Sequence, residues 1–360
     1  MRRVRPDQPG VAALLETIEN QRLGCELAGS PLYADLLDAV AADVVAGGVC
    51  ASLLTPLAGA PYGDAVILRF LAAVHRLVLE GSAAPLAAHS PSAGGTPGPD
   101  AGACFVAAVA RHRERVAAEL GLGVQTNEVG RSVPLLTGYL ALAAAGLPLR
   151  ILEVGASAGL NLRFDHYRYE AGGAAFGPVD SPLRFVAPWA GPAPDLDRPL
   201  VVASREGSDL DPIDPTTEAG RLRLRSYLWP DQPQRRARLD AALAVAARVP
   251  VAVERADAVS WLRRRLAEPA PGCLTVVAHS IVFQYLSADD RAALLGLLDD
   301  AGSRATPDAP LAWLRMEPGG DQAETRLTRW PGGVTELVAR SAYHGPPVAL
   351  AGGPPPVSPR

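Results

Sequence analysis

The sequence contains no lysine; all 34 of its basic side chains other than histidine are arginines. That absence excludes Schiff-base chemistry on a lysine, a Walker A phosphate loop and a kinase-type ATP site, each of which needs an ε-amine. Cysteine is scarce as well. Cys25, Cys50, Cys104 and Cys273 are widely spaced, with no Cys-x-x-Cys pair, which suits reduced thiols better than a disulfide framework or zinc site. His75, His89, His112, His166 and His344 show no metal-ligand spacing, so no metal is expected. No apolar run reaches the ~18 residues of a membrane span. The basic N-terminus is followed by Pro6, Pro9 and acidic residues rather than an apolar signal core. A soluble, cytoplasmic protein with no membrane partner is expected. The net charge of −4 gives no pull toward nucleic acid. The Arg-rich pieces Arg221–Arg225, Arg235–Arg238 and Arg263–Arg265 lack interleaved aromatics and read as solvated helix faces. No repeat of 20–50 residues is present, which excludes a solenoid.

What is present divides into two regions, and 360 residues suffice for both. Residues 1–146 read as a helical N-terminal domain. Ser30-Pro31 opens one helix that stops near Gly47-Gly48, and Asp64 is placed to cap a second that runs to Gly81. Residues 90–102, rich in Pro, Gly and Ser, read as a flexible loop. Arg111–Leu120 is a charged helix, and Pro134–Ala145 is nearly all apolar, as a helix packed on a sheet would be. Residues 147–360 form an α/β domain. Strands are expected near 150–154, 200–204, 250–254, 274–279 and 310–316, with helices near 235–248, 258–267 and 288–301. Thr325–Trp330 and Thr335–Arg340 flank Pro331-Gly332-Gly333 as an antiparallel hairpin, followed by a strand at 346–350. The fold class is therefore α/β, a mostly parallel sheet with an antiparallel C-terminal edge.

The most informative stretch is Arg150-Ile-Leu-Glu-Val-Gly-Ala-Ser-Ala-Gly-Leu-Asn161, an apolar strand that turns sharply, as into a helix. Three chemistries compete for it. A dinucleotide fingerprint needs Gly-x-Gly-x-x-Gly, and Ser157 and Leu160 stand where two glycines belong. A serine-hydrolase elbow needs Gly-x-Ser-x-Gly, which Gly155-Ala-Ser157-Ala-Gly159 matches. The third pattern is an acid at the strand end followed by Gly, three small residues and Gly, as in Glu153, Gly155, Ala156, Ser157 and Gly159. It resembles the S-adenosylmethionine loop of class I methyltransferases. There the acid accepts hydrogen bonds from the ligand's ammonium group. In an elbow the same acid would need a buried partner. Helices rather than parallel strands precede it here, against the hydrolase order.

The C-terminal region as a whole resembles the Rossmann-like methyltransferase fold. The segments Gln125–Arg131, Leu152–Leu162, Asp209–Pro215, Ser226–Asp231 and the stretch around His279-Ser280 carry a second resemblance: over nearly its full length the chain is similar to an uncharacterised bacterial family, the domain of unknown function numbered 2332. That family brings no reaction with it.

The methyltransferase resemblance implies further site residues. Asp209, with Asp211 in reserve, corresponds to the acid that holds both ribose hydroxyls, a task for a group able to accept two hydrogen bonds. It stands about 50 positions after the loop, against ~20 in dinucleotide folds, so an insertion at about 163–199 fills the gap. That insertion could form a hairpin over the site. Asp209, Asp211 and Asp214 also read as turn chemistry before Pro212 and Pro215. A calcium loop is unsupported, since Gly220 takes the place of its final Glu. Asp257 and Ala258 correspond to the pair that holds adenine, while Asp257 also suits the N-cap of the next helix. His279 ends the fourth strand, where imidazole can act as general base, although strand-end histidines also serve packing. Ser280 and Tyr285 are candidate substrate residues beside it. The polar segment Gln125–Arg131 offers Asn127, Glu128 and Arg131 to a polar ligand, or to ordinary loop capping.

The expectation is an S-adenosylmethionine-binding, methyltransferase-like protein acting on a small-molecule or protein acceptor. Two alternatives stand beside it: a serine hydrolase using Ser157, Asp257 and His279 or His344, and a non-catalytic sensor or scaffold of the same fold.

Overall fold

The computed structural model describes residues 9–60 and 64–352, so the basic stretch around Pro6 lies outside the described residues. The chain opens with α1 (Pro9–Leu27), α2 (Pro31–Ala46), α3 (Val49–Leu54), α4 (Val66–Leu79), α5 (Ala84–Ala87), α6 (Ala101–Arg111) and α7 (Arg113–Leu120). Next come α8 (Ser132–Ala143), β1 (Leu149–Val154), β2 (Arg168–Ala171), β3 (Ala174–Phe176), β4 (Arg184–Val186) and β5 (Val202–Asp209). The remainder is α9 (Glu218–Ser226), α10 (Pro233–Ala246), β6 (Ala252–Arg255), α11 (Ala258–Arg265), β7 (Leu274–Ser280), α12 (Ala288–Ser303), β8 (Leu311–Pro318), β9 (Ala323–Trp330), β10 (Val334–Ala342) and β11 (Gly345–Leu350).

Two compact units emerge, and each is assembled from two separated stretches of chain. The first joins residues up to Thr126 with Glu218–Ala237; the second holds Asn127–Thr217 and the chain from Arg238 onward. Within the helical unit the returning segment is tied by Asp231. Its Oδ1 accepts from Ser30 Oγ at 2.6 Å and its Oδ2 from the Leu32 N–H at 3.0 Å. Asp231 thus caps α2, where Ser30 at the N-cap position makes no capping bond of its own. Trp229 packs against Tyr33, and His75 is held by the Ser226 carbonyl and Ser92. α4 starts after Ala65, whose φ is +44°, so Asp64 does not cap it. Residues 90–102 are not a plain loop either, because a short 3-10 turn at Pro91–Ala93 and the start of α6 fall within them.

The second unit is α/β, with an eight-stranded, mostly parallel sheet and antiparallel C-terminal strands. The order is β11-β10-β9-β8-β7-β1-β5-β6. β6, β5, β1, β7 and β8 run parallel, and β9 to β11 are antiparallel. Alternation along a strand assigns its faces. Leu152, Val154, Val277 and Trp313 pack with Trp261 and Leu262 of α11 and Leu294 and Leu298 of α12. Glu153 therefore points to the opposite face, where α8 lies along β8–β11 and Tyr139 stacks on Phe164 at 4.3 Å. Among the described residues, no single helix is long and apolar enough to cross a membrane.

Two further sequence expectations are corrected by the strand-end turn and the insertion. No α-helix follows the 155–159 turn; Asn161–His166 is a kinked 3-10 segment. The insertion is not a hairpin alone but a three-stranded sheet in the order β3-β2-β4. It is seated through the fully buried Tyr167 and Tyr169 and through Trp189, whose indole N–H donates to Thr137 Oγ1.

Candidate functional site

The carboxyl end of β1 delivers Glu153 and the Gly155–Gly159 turn. Gly155, Ser157 and Gly159 all have left-handed backbone, at φ +66°, +54° and +66°. For Ser157 this conformation is uncommon and must be held by its surroundings. The turn fits because its neighbours leave room. A Cβ on Gly155 would stand 2.7 Å from Val282 Cγ2, and one on Gly207 of β5 would stand 2.5 Å from the Ala156 Cβ.

The peptide groups of residues 156–160 are taken by protein. The Ala156 N–H donates to Ser208 O at 3.0 Å, and Ser157 N–H to Asp209 Oδ2 at 2.9 Å. Ala158 and Leu160 N–H both donate to Asn127 Oδ1, at 3.3 and 3.1 Å, and Gly159 N–H donates to Ala156 O. On the acceptor side, Ile213 N–H donates to Ser157 O. The buried Arg163 guanidinium donates to Ala158 O, Gly159 O and Val249 O, and Tyr167 Oη donates to Leu160 O. A phosphate cradle requires N–H groups open to a ligand, and this turn keeps none between residues 156 and 160. The Ala158 N–H, which an elbow would turn into an oxyanion hole, is occupied by Asn127.

Glu153 is the exception to this saturation. It is 3% exposed, and its Oε2 is buried with no hydrogen-bond partner. Burial, reinforced by the neighbouring Asp209 and opposed by Arg163, pushes its carboxyl up to about 8. Arg163 does not bond it, because its nitrogens serve the turn's carbonyls. Asp209 ends β5 half-buried, with Oδ1 accepting from the Asp211 N–H at 2.9 Å. Asp211 pairs with Arg255 at 2.7 Å.

The other expected residues separate. Asp257 is exposed and N-caps α11. Its Oδ1 accepts from the Ser260 N–H at 2.8 Å and its Oδ2 from the Ser260 hydroxyl, which holds the carboxyl below its usual range. Ala258 is the first residue of that helix. His279 is fully buried on the face opposite Glu153. Its Nε2 accepts the Trp313 indole N–H at 2.9 Å, which leaves Nδ1–H to donate to Glu317 Oε1 at 2.7 Å. An indole is a donor only, so this tautomer is the one that satisfies both bonds. With neither nitrogen open, the expected general-base role does not fit this ring. Glu317 also accepts from Val282 N–H at 2.9 Å and Phe283 N–H at 3.4 Å. It thereby fixes the turn at Ile281, a β-branched residue at φ +54°. Ser280 is nearly buried and Tyr285 is 41% exposed.

Asn127, Glu128 and Arg131 act as braces. Glu128 Oε1 accepts from Gly130 N–H and lies near His344, while Arg131 donates to Tyr343 O and Ser280 O. A cavity of about 410 Å³ lined by Leu147, Pro148, Arg198 and Val201 opens at the amino end of β1, away from Glu153.

Comparison with known protein families matches residues 16–349 to the family described as an uncharacterized protein conserved in bacteria, DUF2332. The chain belongs to that family. No curated protein and no solved structure matches it.

Three contributors escaped the sequence reading. Glu317 lies near the carboxyl end of a largely apolar strand as Glu153 does, so the same strand-end signal marks it. Arg163 is a lone charge between Leu162 and Phe164, the pattern of a buried cation with a structural task. Gly207 carries no local signal, because its requirement comes from a contact across strands.

Proposed function

We propose that this protein has a Rossmann-like, class I methyltransferase-like sheet that binds S-adenosylmethionine. When active, it transfers the methyl group to a small-molecule or protein oxygen, nitrogen or carbon. The observation that carries this reading is Glu153, a buried carboxyl with an unpartnered oxygen at the end of β1. The order β6-β5-β1-β7-β8 corresponds to the 3-2-1-4-5 order of doubly wound sheets, whose ligands bind outside the strand ends where the order reverses. β1 and β7 flank that reversal. The saturated turn argues against a pyrophosphate and leaves polar recognition to Glu153 and Asp209.

These two carboxylates fit the ligand. Glu153 Oε2 is placed to accept from an ammonium group. Asp209 accepts from the Ser157 and Asp211 N–H groups, and a carboxylate can accept more than one hydrogen bond at each oxygen, which suits a ribose hydroxyl. Asp257 fits less well, since both its oxygens serve the α11 cap. S-adenosylmethionine supplies an electrophilic methyl on a sulfonium; the chain contributes alignment and, where the acceptor must lose a proton, a nearby carboxylate. For the hydrolase, Ser157 has a strained backbone in its favour. Of its expected partners, His279 and Asp257 are committed elsewhere, and His344 Nδ1 lies 3.8 Å from Glu128 Oε2.

Calorimetric titration with S-adenosylmethionine and S-adenosylhomocysteine tests the proposal. Wild type is expected to bind both. Gly155→Val is expected to abolish binding, because a side chain at φ +66° must displace Val282. Tight binding that survives this substitution moves the site elsewhere. Fluorophosphonate labelling that Ser157→Ala removes would replace the proposal with the hydrolase.

A further inference from the structure

We infer that Asn127 is a positioning residue, one that sets the ligand-competent shape of the 155–160 turn without touching the ligand's reacting atoms. The inference rests on the proposed S-adenosylmethionine site. Its physical basis is a single oxygen that accepts two N–H groups, Ala158 at 3.3 Å and Leu160 at 3.1 Å. Successive N–H groups around left-handed residues converge into a concavity suited to an oxygen acceptor. Here Gly159, at φ +66°, lies between the two donors, and Ser157, at φ +54°, precedes them. Asn127 Oδ1 fills that concavity.

The turn is held from three directions. Asp209 holds the Ser157 N–H, Arg163 holds the Ala158 and Gly159 carbonyls, and Asn127 holds the Ala158 and Leu160 N–H groups. Asp209 cannot be removed without removing the proposed ribose acid, and Arg163 is one of the charges acting on Glu153. Asn127 is neutral and half-buried, and it belongs to neither group. It therefore reports on turn shape alone. Without it, two N–H groups facing into a nearly buried turn lose their acceptor, and Ser157 loses part of what keeps it left-handed. Gly155, the step where the main chain must pass close to Val282, belongs to the same turn.

The test compares wild type, Asn127→Ala and Asn127→Asp by two measurements. Amide hydrogen exchange is read at Ala158 and Leu160, and S-adenosylmethionine affinity is read by calorimetry. Asn127→Ala is expected to speed exchange at both amides by about tenfold. It should weaken binding by a similar factor, with melting changed little in the rest of the protein. Asn127→Asp keeps an acceptor oxygen in place and is expected to restore slow exchange and most of the affinity. That rescue separates positioning from a ligand contact made through the amide nitrogen, which Asp lacks. Exchange unchanged in Asn127→Ala, or affinity equal to wild type despite faster exchange, overturns the inference. If wild type binds no S-adenosylmethionine, the reading of the site fails, and the exchange comparison alone then upholds or overturns the hold of Asn127 on the turn.

Discussion

At the scale of single residues, Glu153 ties stability to pH. Its carboxyl is raised from an ordinary 4.5 to about 8 by burial. The stability this gives is fully present below pH 4.5 and is lost as pH rises toward 8, where the folded state must bury a charge. Glu153→Gln, neutral and of the same shape, is expected to match wild type near pH 5. At pH 9 it should exceed wild type by roughly 2–4 kcal/mol, read as a difference in urea midpoints that grows with pH. A constant difference would mean that Glu153 does not titrate in this range. Glu317→Ala leaves the His279 Nδ1–H and the Val282 and Phe283 N–H groups without their acceptor. Such a loss costs about 2–4 kcal/mol. Glu317→Gln keeps an acceptor oxygen and should cost less than half of that in the same denaturation experiment. Individual site residues were legible in the sequence only as types. Glu153 stands where the strand-end acid was expected, whereas the roles of His279 and Asp257 turn on partners, Trp313 and Ser260, that no spacing rule pairs with them.

At the scale of elements, β1, β7 and β8 lie close to where their apolar runs place them, because a buried parallel strand needs a continuous run and little else, whereas the partly exposed β5 runs on to Asp209, beyond the expected 204. The segment after the turn was misread for a physical reason. In an α-helix the Leu162 and Arg163 N–H groups would donate to Ala158 O and Gly159 O. The Arg163 guanidinium takes both carbonyls instead, and the Arg163 N–H falls back to Leu160 O in 3-10 fashion. Arg163→Lys keeps a charge but cannot fork across Ala158 O, Gly159 O and Val249 O together. The expected outcome is a loss of about 2 kcal/mol and faster amide exchange through 158–163. Unchanged exchange would show that the fork does not shape this element.

At the scale of the whole molecule, the helical unit is made of two separated pieces, and no local pattern marks the second as belonging to it. Glu218–Ala237 reads locally as one more solvated helix, and its membership depends on Asp231 reaching Ser30 and Leu32. A fragment beginning at Asn127 would carry Leu224, Leu228 and Trp229 without the helical partners that bury them. It is expected to elute as aggregate in size-exclusion chromatography, and a monodisperse fragment would contradict this. The same discontinuity orders events on the ribosome. The cap for α2 is encoded about 200 residues downstream of the helix it closes, so the N-terminal helices emerge first yet cannot complete their packing. β1 and β5 leave the exit tunnel before Asp231 does. Vectorial folding from the N-terminus is therefore interrupted here, and the first-made unit is the one that must wait.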